Sequence, residues 1–180
     1  MTDWTDDAWR TSVLAWLRHE LDRLGDEAIA APDQFHVRPW STIFRVTTRR
    51  GTAYLKAVPL QLAHEVRLTQ WLSARFPDRV AQVLAADDAR GLLLLQDGGM
   101  RLRDVGTDLL GWCRVAGDYA DLQLLAERGV SELLALGVPD RRVARLPGAL
   151  SGVLPAAERD LVARYAALCA ALSDVGLPDT

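Results

Sequence analysis

The chain is poor in the residues that build metal centres and covalent cross-links. Its 180 residues include two cysteines, Cys113 and Cys169, and three histidines, His19, His36 and His64. Both cysteines lie within helical apolar patterns, and no histidine has Cys or His companions at the spacing of a metal site. We therefore assign no metal ligand, and we predict that both cysteines are buried free thiols that act as small apolar side chains.

Long apolar runs and an excess of positive charge are also missing. No stretch approaches the roughly 18–20 apolar residues of a membrane-spanning helix, and residues 1–7 are acidic where a secretion signal would be basic. The formal net charge is −3 and the arginines are spread along the chain. Partners such as nucleic acid or an anionic membrane need a basic patch. We expect a cytoplasmic protein with no nucleic-acid partner and no membrane partner.

The sequence also lacks glycine-rich phosphate-binding loops. Neither G-x-G-x-x-G nor G-x-x-x-x-G-K-[ST] occurs, so the sequence has no standard motif for cradling phosphates. The chain does have an ordinary globular composition, with 49% hydrophobic and 25% charged residues. This composition and length suit one domain or two small lobes.

Hydrophobic periodicity predicts a sheet flanked by helices, followed by a helical second half. The run of leucines from residue 92 to 95 predicts a strand that is buried on both faces. Between residues 141 and 152 a proline and two glycines predict a loop. The predicted strands cover residues 34–38, 43–48, 52–58, 81–86 and 91–96, and the predicted helices cover residues 4–24, 60–75, 108–128, 130–136 and 156–173.

Two charged residues fall where apolar residues predominate. Lys56 lies in an apolar strand, and Glu65 shares a helix face with apolar residues at helical spacing. A buried carboxylate needs a counter-charge, because removing one member of a buried pair costs roughly 3–5 kcal/mol. We therefore predict that Lys56 and Glu65 meet. The alternative is that the lysine extends to water and that Glu65 lies at the edge of the apolar stripe.

The order of these parts resembles the N-terminal lobe of the aminoglycoside phosphotransferase family, which are kinase-like small-molecule phosphotransferases. The resemblance implies an α+β fold, with a protein-kinase-like N-lobe of five antiparallel strands plus one helix, and an N-terminal helix before it. It implies a nucleotide-binding lobe over residues 1–97, then a hinge and an incomplete helical lobe over residues 98–180. It also implies that Lys56 grips the phosphates of ATP and that Glu65 holds the lysine.

Five further residues are candidate nucleotide contacts. Tyr54 shares a strand face with Lys56 and is placed to stack on the base, although it also suits packing under the turn. Ser41 and Thr42 follow Pro39 at the predicted phosphate-covering turn, although a plain turn would contain the same residues. Gln96 and Asp97 begin the implied hinge, whose backbone would read an adenine edge, although a simple loop also fits.

The catalytic parts of the family are not found in the sequence. No histidine is followed two positions later by aspartate, so we assign no catalytic residue and no magnesium ligand. We expect a truncated family member that is inactive alone, derived from an ATP-dependent kinase of a small hydroxylated acceptor. Two alternatives are a nucleotide-binding, pseudokinase-like interaction module that self-associates through exposed helical surface, and a ligand-free helical scaffold in which Lys56 and Glu65 are a structural pair.

Overall fold

The computed structural model describes residues 3–106, 108–151 and 158–174. The chain divides into two compact units, Met1–Leu122 and Gln123–Thr180. The lobe boundary that the resemblance implies, between residues 97 and 98, stays a prediction.

The first unit contains a five-stranded antiparallel sheet with the spatial order β1-β2-β3-β5-β4. All five strands begin and end within two residues of the predicted ends. The prediction of an α+β fold with a five-stranded antiparallel sheet is therefore confirmed. The strands are β1 (Asp33–Arg38), β2 (Ser41–Thr48), β3 (Gly51–Ala57), β4 (Val83–Asp87) and β5 (Leu92–Gln96).

Six α-helices lie in the described residues, and short 3-10 turns cover residues 60–62, 102–104 and 143–145. The predicted loop at residues 141–152 is wrong, because residues 146–151 form a helix. Pro147 lies in its first turn, where no helical hydrogen bond needs its missing N–H. The helices are α1 (Asp7–Arg23), α2 (His64–Arg75), α3 (Leu109–Glu127), α4 (Val130–Ala135), α5 (Leu146–Ser151) and α6 (Arg159–Asp174).

Helix α1 covers one face of the sheet. Its backbone starts at the Asp6 cap, whose carboxylate accepts the Trp9 N–H at 2.7 Å. The apolar stripe of the helix packs on inward-facing residues of β2, β3 and β5, which builds the main core of the unit. This core includes Val13, Leu17, Leu21, Phe44, Val46, Leu55, Leu92 and Leu94.

Helix α2 packs on the opposite face through a smaller apolar cluster. Val66 of the helix contacts Val58 and Leu93, and all three are buried. Leu92 and Leu94 belong to the main core, while Leu93 belongs to this second cluster. The prediction that β5 is buried on both faces is confirmed, and the consequence is that α2 stands beside the face of the sheet that α1 leaves open.

The two cysteines have different surroundings. Cys169 of α6 is buried, as predicted, but Cys113 of α3 is exposed. The prediction for Cys113 is wrong because periodicity shows which side of a helix is apolar but not whether anything packs on that side. Among the described residues, no helix combines the length and the apolar character that a membrane span requires.

Candidate functional site

Strand β3 separates the core from the candidate site by simple alternation. Ala53, Leu55 and Ala57 are buried in the main core, whereas Tyr54 and Lys56 are partly exposed on the opposite face. Successive side chains of a strand point to opposite faces, so the two residues share a face two positions apart, at a spacing of about 6.6 Å. The predicted alternation of this strand is confirmed.

Lys56 and Glu65 form an ion pair. Lys56 Nζ donates a hydrogen bond to Glu65 Oε1. Glu65 lies in the first turn of α2, where a carboxylate interacts favourably with the partial positive charge of the helix N-terminus. The backbone of β3 and the start of α2 thus hold the ammonium and carboxylate groups together.

The pair is partly exposed, which differs from the sequence-based expectation. The Lys56 and Glu65 side chains are 26% and 34% exposed. Helix α2 buries Val66 and Trp71 instead of a stripe centred on Glu65. The expected penalty for a broken buried pair does not apply, because a water-accessible pair stabilises a protein by about 1 kcal/mol or less.

The open sheet face forms a cleft of about 1010 Å³, which we call the cationic cleft. Four cationic side chains and two acidic ones, Asp97 and Asp104, line it in a chain whose net charge is −3. Cations that line a concave surface can attract an anionic ligand. The cationic lining residues are Arg38, Arg45, Lys56 and Arg101, and the aromatic ones are Phe35 and Tyr54.

Three of these four cations already have carboxylate partners. Besides the pair at Lys56, Arg45 contacts Asp33 at 2.8 Å, and Arg101 Nε contacts Asp104 at 2.7 Å. Both arginine side chains are more than half exposed. Exposed pairs of this kind are weak, so an incoming anion can recruit these guanidinium groups at little cost.

The strand register gives the cationic cleft two chemically different ends. Lys56 lies opposite Ile43, towards the β1–β2 turn, and Tyr54 lies opposite Arg45 and Leu95. The first end provides an ammonium group, and the second provides aromatic and apolar surface. This arrangement suits a ligand with an anionic group at one end and a flat ring at the other.

Gln96 and Asp97 line the rim of the cationic cleft with Gly98 and Gly99. Asp97 Oδ1 accepts the Gly99 N–H at 2.9 Å, and Gly99 has a φ of +92°. The glycine is required for this backbone conformation, which turns the chain after β5. The predicted hinge residues are therefore at the cleft edge.

Ser41 and Thr42 are buried, and neither lines the cationic cleft. The Thr42 hydroxyl accepts a hydrogen bond from Gln34 Nε2 at 2.9 Å and donates one to the His36 carbonyl at 2.8 Å. The β1–β2 turn is shorter than predicted, because Arg38 already pairs with Ser41. Both predicted phosphate contacts are therefore strand residues, and their side chains have no geometric support for that role.

Sequence reasoning missed Phe35 and Arg45, which have no motif around them, and it placed Arg38 in the phosphate-covering turn without assigning its side chain a role. It also missed a compositional signal at Lys56. Among 21 lysine and arginine residues, Lys56 is the only lysine. Because arginine stands at every other Lys/Arg position, the one side-chain ammonium group lies at the wall of this cleft.

Comparisons of the chain with protein-family models, with curated proteins and with solved structures gave no match. The resemblance to aminoglycoside phosphotransferases therefore rests on the order of the elements and on Lys56 and Glu65. Within the ranges that the structure describes, no three His, Cys, Asp or Glu side chains form a group suited to a metal ion.

Proposed function

We propose that the cationic cleft binds ATP, with Lys56 on the phosphates and Glu65 orienting the lysine. The observation that carries the proposal is the Lys56–Glu65 ion pair at the wall of a cleft that is lined by three further cationic side chains. The same pairing of a strand lysine with a helix glutamate serves phosphate binding in kinases.

The lining residues fit the parts of a nucleotide. Lys56 and Arg38 supply cationic groups for phosphate oxygens, while Tyr54 supplies an aromatic ring for the base. Stacking of a base on an aromatic side chain contributes about 1–3 kcal/mol in single-stranded nucleic-acid binding. The backbone of residues 96–99 lies at the rim, where it would face the edge of the base. Magnesium bound with ATP would neutralise phosphate charge, and we assign it no protein ligand.

We also propose a place for this chain among kinase-like proteins. On this proposal the N-terminal unit derives from the nucleotide-binding lobe of an enzyme that phosphorylates small hydroxylated acceptors, and the order of the elements together with Lys56 and Glu65 supports it. The sequence contains no H-x-D motif. Positioned carboxylates and metal ions provide nearly all of the rate of phosphoryl transfer. We therefore propose that this chain binds nucleotide without transferring phosphate.

Isothermal titration with Mg-ATP tests the nucleotide proposal. Lys56→Met removes the charge and keeps the apolar stem, and we expect it to weaken ATP binding at least about tenfold, because charged hydrogen bonds contribute about 1.5–3 kcal/mol. Arg49→Gln is the matched control, since Arg49 is an exposed cation that pairs with Glu27 outside the cleft. Equal affinity of the wild type and Lys56→Met would contradict the proposal.

One observation favours self-association as a second function. Helix α3 exposes large apolar side chains, including Leu109 at 76% and Tyr119 at 61%. A helix that is this apolar normally packs against another surface. A second copy of the chain presents the same helix, so a two-fold pair would cover both copies.

Light scattering coupled to size-exclusion chromatography tests this second proposal. We expect the apparent mass to rise with protein concentration, and we expect Tyr119→Glu to reduce that rise. Tyr165→Glu is the comparison variant, because it makes the same substitution on a different helix, α6. A constant monomer mass across concentrations would rule out self-association.

A further inference from the structure

Strand β1 contains a bulge at the cationic cleft. Gln34 pairs with Phe44 and His36 pairs with Ile43, so Phe35 is an extra residue on β1 with no partner on β2. A bulge of this kind redirects a side chain, and such bulges occur often beside functional sites. Phe35 lines the cleft and is 47% exposed.

The bulged ring joins the aromatic end of the cleft. The ring centroids of Phe35 and Tyr54 are 6.2 Å apart, and their planes meet at 69° in an edge-to-face arrangement. The Arg45 guanidinium lies 5.9 Å from the centroid of the Phe35 ring. Both distances are within the range of favourable ring interactions, so the three side chains form one ring-binding surface.

The buried Thr42 hydroxyl forms hydrogen bonds with both residues that flank Phe35 in the bulge. Thr42 is fully buried, and its hydroxyl bonds to the Gln34 side chain on one side of Phe35 and to the His36 carbonyl on the other. The Gln34 amide also donates to the Trp4 carbonyl at 3.0 Å. Loss of this hydroxyl would remove one hydrogen-bond partner each from the His36 carbonyl and the Gln34 amide in a partly buried place.

We propose that Phe35 provides the aromatic contact that holds a flat ring of the ligand in the cationic cleft, and that Thr42 is a positioning residue that acts through Phe35. This inference rests on the proposed nucleotide-binding function and names a residue that binds the base. A base that enters at Tyr54 gains stacking from the bulged ring, while its phosphates reach Lys56. Thr42 sets the geometry of that contact without touching the ligand.

Two probes separate base binding from phosphate binding. Mg-ATP and inorganic tripolyphosphate present similar chains of phosphate groups, but only ATP carries a base. We expect Phe35→Leu to weaken ATP binding about tenfold, the size of one lost stacking contact, and to leave the tripolyphosphate affinity within about twofold. Phe35→Tyr keeps the ring and should keep the ATP affinity.

Thr42 variants test the positioning role. Thr42→Val keeps the shape of the side chain but removes its hydroxyl, and Thr42→Ser keeps the hydroxyl. We expect Thr42→Val to weaken ATP about fivefold with little change for tripolyphosphate, and Thr42→Ser to restore most of the ATP affinity. A residue that only stabilised the fold would lower both affinities together or change the melting temperature alone.

The outcomes distinguish this inference from the function on which it rests. If the wild type binds neither probe, the nucleotide proposal fails and the inference falls with it. If the wild type binds ATP but Phe35→Leu binds it equally well, or loses both probes in parallel, the inference is overturned and nucleotide binding stands. Phe35 is partly exposed, so its variants decide the question even if Thr42→Val fails to fold.

Discussion

At the scale of residues, the sequence identified the Lys56–Glu65 pair but not its exposure. Strand alternation fixes the face of Lys56, and helical spacing gives the approximate direction of Glu65. The actual tilt of α2 depends on how Val66 packs against Leu93, and spacing alone does not show that contact. The pair consequently has access to water, and its contribution to ligand binding should exceed its contribution to stability.

Glu65→Gln tests this separation. The substitution keeps the shape of the side chain and removes the charge that orients the ammonium group. We expect the free energy of unfolding to change by less than about 1 kcal/mol, while Mg-ATP binding weakens several-fold. Glu27→Gln is the control, since Glu27 forms a similar exposed pair with Arg49 elsewhere. A large loss of stability with unchanged ATP affinity would mark the pair as structural.

Asp140 links the stability of the second unit to pH through one ion pair. Hydrogen bonds from the Arg142 side chain lower the pKa of the Asp140 carboxyl from 3.8 to about 2. A lowered pKa in the folded state means that the pair stabilises the protein fully above about pH 4 and progressively less as the pH falls towards 2. Asp140→Asn should flatten the pH dependence of helix content in that range, as followed by circular dichroism. An unchanged acid transition would contradict this assignment.

At the scale of elements, the sequence predicted periodic segments and missed features that lack a clear pattern. The five strands and α1 were found because their apolar patterns extend over several residues and are followed by turn residues. Helix α5 was missed because Pro147 and Gly148 are typical loop signals, whereas α4, which also has six residues, was predicted. The bulge at Phe35 has no sequence signature, because it arises from the pairing of β1 with β2. The candidate site was therefore predicted only where it lies on β3 and α2.

The turn between β4 and β5 requires a glycine at position 91. Gly91 ends this turn with a φ of +69°, and an added Cβ would lie 2.3 Å from the Val58 carbonyl oxygen. We expect Gly91→Ala to reduce the free energy of unfolding by about 2–4 kcal/mol in urea titrations. Alanine would be strained at this positive φ, and its Cβ would clash with the Val58 carbonyl oxygen. Gly98→Ala, which meets open space, should be nearly neutral. Similar stabilities for the two variants would contradict this account.

At the scale of the whole molecule, charge distribution matters more than total charge. The net charge of −3 argued against polyanionic partners, yet four cationic side chains line one cleft. Composition averages over the surface, so it could not reveal that these cations share one concave face. Nucleotide binding through such a face should weaken when ionic strength rises from about 0.05 M to about 0.5 M, since salt screens exposed charges. Salt-independent binding would contradict a cationic binding face.

The most direct measurement of the central claim uses the single lysine of the chain. An amine-reactive acylating reagent meets only one side-chain amine, that of Lys56, and the N-terminal amine serves as the internal control in the same molecule. Mass spectrometry then follows both sites with and without Mg-ATP. We predict that ATP slows the acylation of Lys56 several-fold and leaves the N-terminus unaffected, and that adenosine gives much weaker protection. Equal acylation rates of Lys56 with and without saturating Mg-ATP would show that the phosphates do not bind there.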